Sequence, residues 1–163
     1  MVENLRPKIS VRQAIPADLD TVVEFNADLA RESEGKTLDL EQLRKGVVAV
    51  LDRDDRGFYL VAEAAGRVVG QLLITTEWSD WRNGFFWWIQ SVYVAPDYRR
   101  RGVYRVLEGH VRGLAEQRGD VCGLRLYVER DNHVAQQVYS NLNMRRSHYD
   151  LFEIDFDFPV LNS

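Results

Sequence analysis

Residues 89–104 read IQSVYVAPDYRRRGVY, and this stretch decides the fold. Phe85 to Val94 is almost wholly aromatic and β-branched apart from Gln90 and Ser91. That composition predicts a strand buried on both faces near the centre of a sheet. Pro96 ends it. Downstream, Val103, Val106, Leu107, His110, Val111, Leu114 and Ala115 form one stripe at helical spacing, predicting a helix over Gly102–Gln117. Between strand and helix lies the turn Tyr98-Arg99-Arg100-Arg101-Gly102. The first N–H groups of a helix have no intrahelical acceptor, and the helix dipole is positive there. Gly102 lets a ligand approach the backbone without a Cβ in the way. The guanidinium groups of Arg99, Arg100, Arg101 and Arg105 suit phosphate oxygens. Two readings stand at this point: a pyrophosphate cradle, or an arginine-rich solvated surface. Neither a Walker Gly-Lys-Ser/Thr nor a spaced Gly-x-Gly-x-x-Gly is present to choose between them.

Working outward, Lys8 to Ala14 alternates as a strand ending before Pro16. Leu19, Val22, Val23, Leu29 and Ala30 mark a helix over Ala17–Arg31, broken by Gly35. Asp39 can cap a second helix, Leu40–Leu51. Phe58–Ala64 and Val68–Trp78 read as strands joined in a hairpin at Ala65-Gly66-Arg67. Trp78 to Gly84 reads as a loop. After the central helix, Cys122–Val128 alternates as a strand. His133–Leu142 is a short helix capped by Asp131 or Asn132, and Arg146–Phe158 alternates for long enough to predict a final strand. The order is β-α-α-β-β-β-α-β-α-β, an α/β class with a mostly antiparallel start.

At 163 residues, without repeat or linker, the chain is expected to be a single domain, 1–163. Its 21 basic and 25 acidic residues give −4, which argues against general nucleic-acid binding. The distribution is uneven: Tyr98–Arg118 holds six arginines and two carboxylates, a local +4, leaving −8 on the rest. The one cysteine, Cys122, excludes an internal disulfide and reads as a small buried hydrophobe. His110, His133 and His148 show no ligand spacing, so no metal is expected. No stretch has the length of a membrane helix and the first residues do not resemble a signal peptide. The expected compartment is therefore the cytoplasm, with no membrane partner.

The pattern Val94-x-Pro96-x-Tyr98-Arg99-x-x-Gly102-Val103 after a hydrophobic strand resembles the coenzyme A signature of the GNAT N-acetyltransferase superfamily. That signature, Arg/Gln-x-x-Gly-x-Gly/Ala, falls on Arg99, Gly102 and Tyr104, with Tyr104 standing where Gly or Ala is usual. A second segment, Leu126 to Tyr139, resembles the family's next strand, Asn and helix. Asn141-Leu142-Asn143-Met144 resembles its Leu-Gly-Met turn, with Asn143 for Gly. Together the likeness spans essentially the whole chain. It implies a GNAT-like fold, a central mixed, mostly antiparallel sheet flanked by helices. It also implies an enzyme, an acetyl-CoA-dependent N-acetyltransferase in which a small-molecule or peptide amine attacks the thioester directly in a ternary complex.

The resemblance further implies residue roles. A splayed strand would offer the N–H groups of Val92 and Val94 to acetyl-CoA, with Tyr93 between them, and Val92 would polarise the acetyl carbonyl. Arg99, Arg100, Arg101, Gly102, Val103 and Tyr104 would hold the pyrophosphate and Asn132 the pantetheine. Tyr139 would protonate the departing thiolate; spacing alone favours a core tyrosine on an amphipathic helix, and the match to the family's pattern reverses that reading. Some family members carry Glu where Trp88 stands here. Glu77, Glu129 and His110 are substitutes that also read as surface charge or helix filler, so no base is assigned. Trp78 and Trp81 are expected either to wall the amine site or to serve core and homodimer packing. The missing strand carboxylate and Tyr104 motivate an alternative, a catalytically weak coenzyme A-binding sensor or interaction module.

Overall fold

The computed structural model describes residues 8–156. The chain divides into two compact units, Met1–Tyr127 and Val128–Ser163. The first contains β1 (Ile9–Gln13), α1 (Leu19–Glu34), α2 (Leu40–Leu51), β2 (Phe58–Ala64), β3 (Arg67–Ser79), β4 (Gly84–Val94), α3 (Val103–Arg118) and β5 (Val121–Leu126). The second contains α4 (His133–Asn141). The strands form one five-stranded sheet in the order β1-β2-β3-β4-β5. All neighbours are antiparallel except β4 and β5, which run parallel.

Alternation along β2 assigns the helices to the two faces of the sheet. Leu60, Ala62 and Ala64 pack with Val103, Leu107 and Val111 of α3, whereas Tyr59 and Val61 pack with Val22 of α1 and Val47 of α2. The helix ends follow from their residues. Gly35, at φ 62°, closes α1 in the left-handed conformation. The Asp39 carboxylate caps α2 by accepting from the N–H groups of Glu41 and Gln42 at 2.8 and 3.0 Å.

At the sheet edge an ion-pair cluster ties Asp18, the residue just before α1, to β1 and β2. Arg12 donates to Asp18 at 2.7 and 3.0 Å and to Glu63 at 2.8 and 3.1 Å. Asp18 is buried and also accepts from the Ile15 N–H at 2.8 Å. The Arg12 hydrogen bonds hold its carboxyl below the usual carboxylate range, against the opposing effect of burial. A depressed carboxyl contributes stability that is complete above the unfolded value near ~3.9 and is lost as pH falls through the folded value. Asp18→Asn is therefore expected to lower stability at pH 7 by about 1–3 kcal/mol in urea titration. Its stability should also decline less than the wild type's below pH ~4.

Several sequence expectations are corrected. β3 runs through Trp78 to Ser79 and β4 starts at Gly84, so the expected 78–84 loop shrinks to the turn 80–83. β4 is buried at Phe86, Trp87 and Ile89 but only half-buried at Trp88 and Gln90, because α1 and α2 do not cover that far half of the sheet. Cys122 is exposed, not buried. The pairing steps from Phe85–Val121 to Phe86–Gly123, which leaves Cys122 opposite no β4 residue. The described part of Arg146–Phe158 forms no strand; Tyr149, Leu151, Phe152, Ile154 and Phe156 are all exposed. Alternation spaces side chains for a sheet face but cannot itself supply the neighbouring strand. The last two residues of that expected strand lie outside the described residues, and no helix among the described ones is long and apolar enough to cross a membrane.

Candidate active site

The candidate site begins where β4 and β5 part. Their ladder ends at the pair Ile89–Leu126, yet β4 continues to Val94. On the other side the β3–β4 register slips between Gln71–Tyr93 and Leu73–Gln90, which makes Ser91 and Val92 together face Leu72. This is a β-bulge, and Ser91 takes a left-handed φ of 50° within it. The extra residue resets the alternation. Val92 and Val94 pack toward the α3 side, and Tyr93 packs toward α1 with its ring 4.9 Å from that of Phe25. The Ala95 N–H donates to the Val69 carbonyl of β3 at 2.9 Å. Alternation then puts the Tyr93 N–H on that same edge and those of Val92 and Val94 on the opposite edge. Among the described residues no strand pairs with that opposite edge.

A short 3-10 turn, Pro96–Tyr98, leads from β4 to the arginine turn. Arg100 at φ 62° and Gly102 at φ 84° are both left-handed. Gly102 is the N-cap of α3 and caps no N–H with a side chain, and a Cβ built on it meets nothing within 4 Å. The first intrahelical bond is from the Val106 N–H to the Gly102 carbonyl, so the amides of Val103, Tyr104 and Arg105 precede the helical ladder. Such a turn gathers N–H groups into a concavity suited to an anion. Gly70 of β3 permits this approach of helix to sheet: a Cβ there would lie 2.9 Å from Val103 Cγ1. Tyr104 packs against the α3-side core, which is how the chain accommodates a large ring at this position.

The arginines are not equivalent. Arg99 turns back toward α1, donating to Glu32 at 2.6 Å and to the Val94 carbonyl at 2.9 Å, with its guanidinium 5.3 Å from the Tyr93 ring centre. The Tyr93 hydroxyl donates to Glu32 at 3.2 Å. Burial, then the charges of Glu32 and Asp28, push this phenol up to about 12. Arg100 and Arg101 are exposed, Arg101 resting 5.3 Å from the Tyr98 ring centre. Glu32 and Asp28 escaped the sequence reading because nothing local pairs residue 32 with residue 99.

On the α1 side of the β3–β5 half-sheet, the Trp88 indole N–H donates to Glu77 at 2.6 Å and Arg125 lies 3.2 Å from the same carboxylate. Arg125 sits 3.5 Å from the Phe86 ring centre, and Trp88 stacks on Tyr127 at 4.4 Å. Trp78 is on the opposite face, edge-on to Phe85 at 4.9 Å, and Trp81 is exposed in the turn. The two tryptophans expected to wall an amine site thus do not join the Glu77–Trp88–Arg125 group. In the second unit, Asn132 caps α4, its Oδ1 accepting from the Ala135 N–H at 3.0 Å. Tyr139 is half-buried on α4, and burial raises its phenol above the ordinary tyrosine value.

A mixed sheet whose parallel pair separates beside a bulge, followed by a glycine-opened helix, is the acyl-CoA N-acyltransferase fold. A model of the acetyltransferase (GNAT) family matches residues 21–144. A crystal structure of a possible acetyltransferase from Clostridium difficile 630 is 44% identical, with TM-score 0.85 over 90% of this chain and 97% of that one. The chain belongs to the acetyltransferase (GNAT) family and is an acyltransferase. Two more distant structures share the fold alone. One is a ribosomal-protein-alanine N-acetyltransferase from Brucella melitensis biovar Abortus 2308, 17% identical with TM-score 0.74, covering 91% of this chain and 99% of that one. The other is AAC(6')-Iy in complex with a bisubstrate analogue, CoA-S-monomethyl-acetylneamine, 17% identical with TM-score 0.71, covering 90% and 97%. No curated protein matches the chain.

Proposed function

We propose that the chain is a single N-acetyltransferase domain that uses acetyl-CoA to acetylate a primary amine of a small molecule or peptide. The observation that carries this reading is the bulge at Ser91 beside the end of the β4–β5 ladder. It turns the Val92 and Val94 N–H groups to an edge that no described strand covers. Residues 99–104 follow at once, and the α3 amides with the Arg100 and Arg101 side chains suit the pyrophosphate. The left-handed Gly102 leaves room for phosphate oxygens against the backbone. Arg99 serves through Glu32 and the Val94 carbonyl, fixing the turn to α1 rather than reaching outward. The Asn132 amide N–H, whose partner oxygen is used in capping, is the donor assigned to the pantetheine arm.

In the reaction the neutral amine nitrogen attacks the acetyl carbonyl carbon. The Val92 N–H stabilises the developing oxyanion. Holding both reactants converts an encounter into a near-intramolecular step. As the tetrahedral adduct collapses, the C–S bond breaks and Tyr139 donates its phenolic proton to the thiolate. The nitrogen releases its proton to water. A raised phenol pKa keeps Tyr139 protonated at neutral pH, as an acid requires. Trp88 cannot accept a proton, and Glu77 beside it is already bonded to the Trp88 indole and Arg125.

Acetyl-CoA at about 100 times its Kd should stabilise the native chain by about 2.7 kcal/mol. For a domain of this size that is a Tm increase of roughly 5–10 °C. An amine panel read through released thiol then tests transfer. No Tm shift at millimolar acetyl-CoA overturns the cofactor reading. Binding without transfer across the panel selects the coenzyme A sensor instead.

A further inference from the structure

Three buried polar side chains lie behind the Ser91 bulge, on the α1 side of the sheet, and none has a role in the mechanism above. Gln71 of β3 is wholly buried, with 0% exposure, and Tyr59 and Asn26 are nearly so. Gln71 Nε2 donates to the Ser91 carbonyl at 3.3 Å. The Tyr59 hydroxyl hydrogen-bonds with the Ser91 side chain. It is in turn held by Asn26 Nδ2 at 3.2 Å, which also donates to the Val22 carbonyl at 3.0 Å. Both ends of Ser91 are therefore gripped, and Ser91 is the residue in left-handed backbone.

The grip is not explained by stability. Gln71 Oε1 is buried and accepts from no donor among the described residues. A buried orphan oxygen is costly, and an apolar chain of the same shape would fill the place without it. What only the amide supplies is the N–H to the Ser91 carbonyl. That carbonyl belongs to the peptide whose nitrogen is Val92 N, so Gln71 restrains the orientation of the very N–H that the acyl-transfer reading uses.

We propose that Gln71, backed by Tyr59 and Asn26, is a positioning residue for acyl transfer: its bond to the Ser91 carbonyl sets the plane of the Ser91–Val92 peptide and so aims the Val92 N–H. This rests on the oxyanion role of Val92 proposed above. The arrangement trades a satisfied core for a fixed donor, as preorganised sites do.

The test uses the full chain, with Gln71→Met as a near-isosteric replacement that removes both the donor and the orphan oxygen. Tm should stay level or rise. The Kd for acetyl-CoA should change by less than about threefold, since the other contacts remain. The value of kcat should fall roughly 10- to 100-fold, the scale of a slight misplacement of a reacting group. Isotope-edited infrared spectra of carbonyl-labelled acetyl-CoA should show the stretch displaced to lower frequency on the wild type and returned toward the free value on Gln71→Met. Tyr59→Phe should show the same pattern to a smaller extent, and carries the test if Gln71→Met does not fold. An unchanged kcat with the displaced stretch retained overturns the role of Gln71. A kcat loss matched by a fall in Tm assigns the residue to stability and overturns it equally. A wild type without any displaced stretch removes the oxyanion reading itself, a failure distinct from either.

Discussion

Tyr139→Phe is expected to lower kcat about 100-fold or more while the Kd for acetyl-CoA stays within about twofold, because proton donation by a placed acid contributes ~10²–10⁴. The substitution removes one oxygen from a half-buried ring and leaves its packing in place. Without the acid, the thiolate must leave unprotonated or take its proton from water. The pH profile separates this from a structural effect. Burial raises the phenol, so the wild-type alkaline limb should fall above the ordinary tyrosine value near ~10. In Tyr139→Phe that limb should be absent and the low plateau continuous. Stopped-flow release of thiol at saturating amine and acetyl-CoA is the measurement. Turnover equal to wild type would take Tyr139 out of the mechanism and return it to the packing of α4.

Gly102→Val is expected to act in the opposite way, on binding rather than turnover. Gly102 has φ 84°, a conformation that a β-branched residue adopts only at a cost of about 1–3 kcal/mol. An added Cβ meets no protein atom within 4 Å, so there is no clash within the fold. The valine side chain instead occupies the open space beside Gly102, at the start of α3. Losing one charge-assisted bond to the pyrophosphate costs about 1.5–3 kcal/mol, which raises Kd roughly 10- to 150-fold. Isothermal titration with acetyl-CoA and with 3′-dephospho-CoA should show the same loss, since the change lies at the pyrophosphate. An unaltered Kd would mean that this turn does not hold the cofactor. Gly102→Ala should give a smaller loss of the same kind.

The contrast between Arg99 and its two neighbours shows where sequence reading stops. All three arginines look alike as phosphate ligands in the linear text. In the folded chain Arg99 is drawn to Glu32, 67 residues away, and to the carbonyl of Val94. A guanidinium goes to the carboxylate that packing brings closest, and α1 packs beside β4 through contacts that no local pattern encodes. Ser91 is a comparable case. The sequence marks it as a polar interruption in an apolar strand, but its left-handed φ and the register slip arise only when β3 and β4 pair. The tail is the reverse case, where a clean alternation from 146 to 158 predicts a strand and the described part of it joins no sheet.

The sequence by itself determined the helix stripe from Val103 to Ala115, the hairpin at Ala65-Gly66, and the strand–turn–helix that carries the family signature. Each of these depends on spacing within a few residues, through side-chain periodicity, turn chemistry and the unpaired amides of a helix start. It also located the local +4 of Tyr98–Arg118. Only the tertiary structure decided which of those charges are bonded within the chain, since Arg99, exposed like its two neighbours, is held by Glu32 and the Val94 carbonyl. It alone placed Glu77 against Trp88 and Trp78 on the other face of the sheet. It also set Gln71 behind the bulge. These outcomes depend on strand register and helix packing, where one extra residue at Ser91 reverses which side every later side chain of β4 faces.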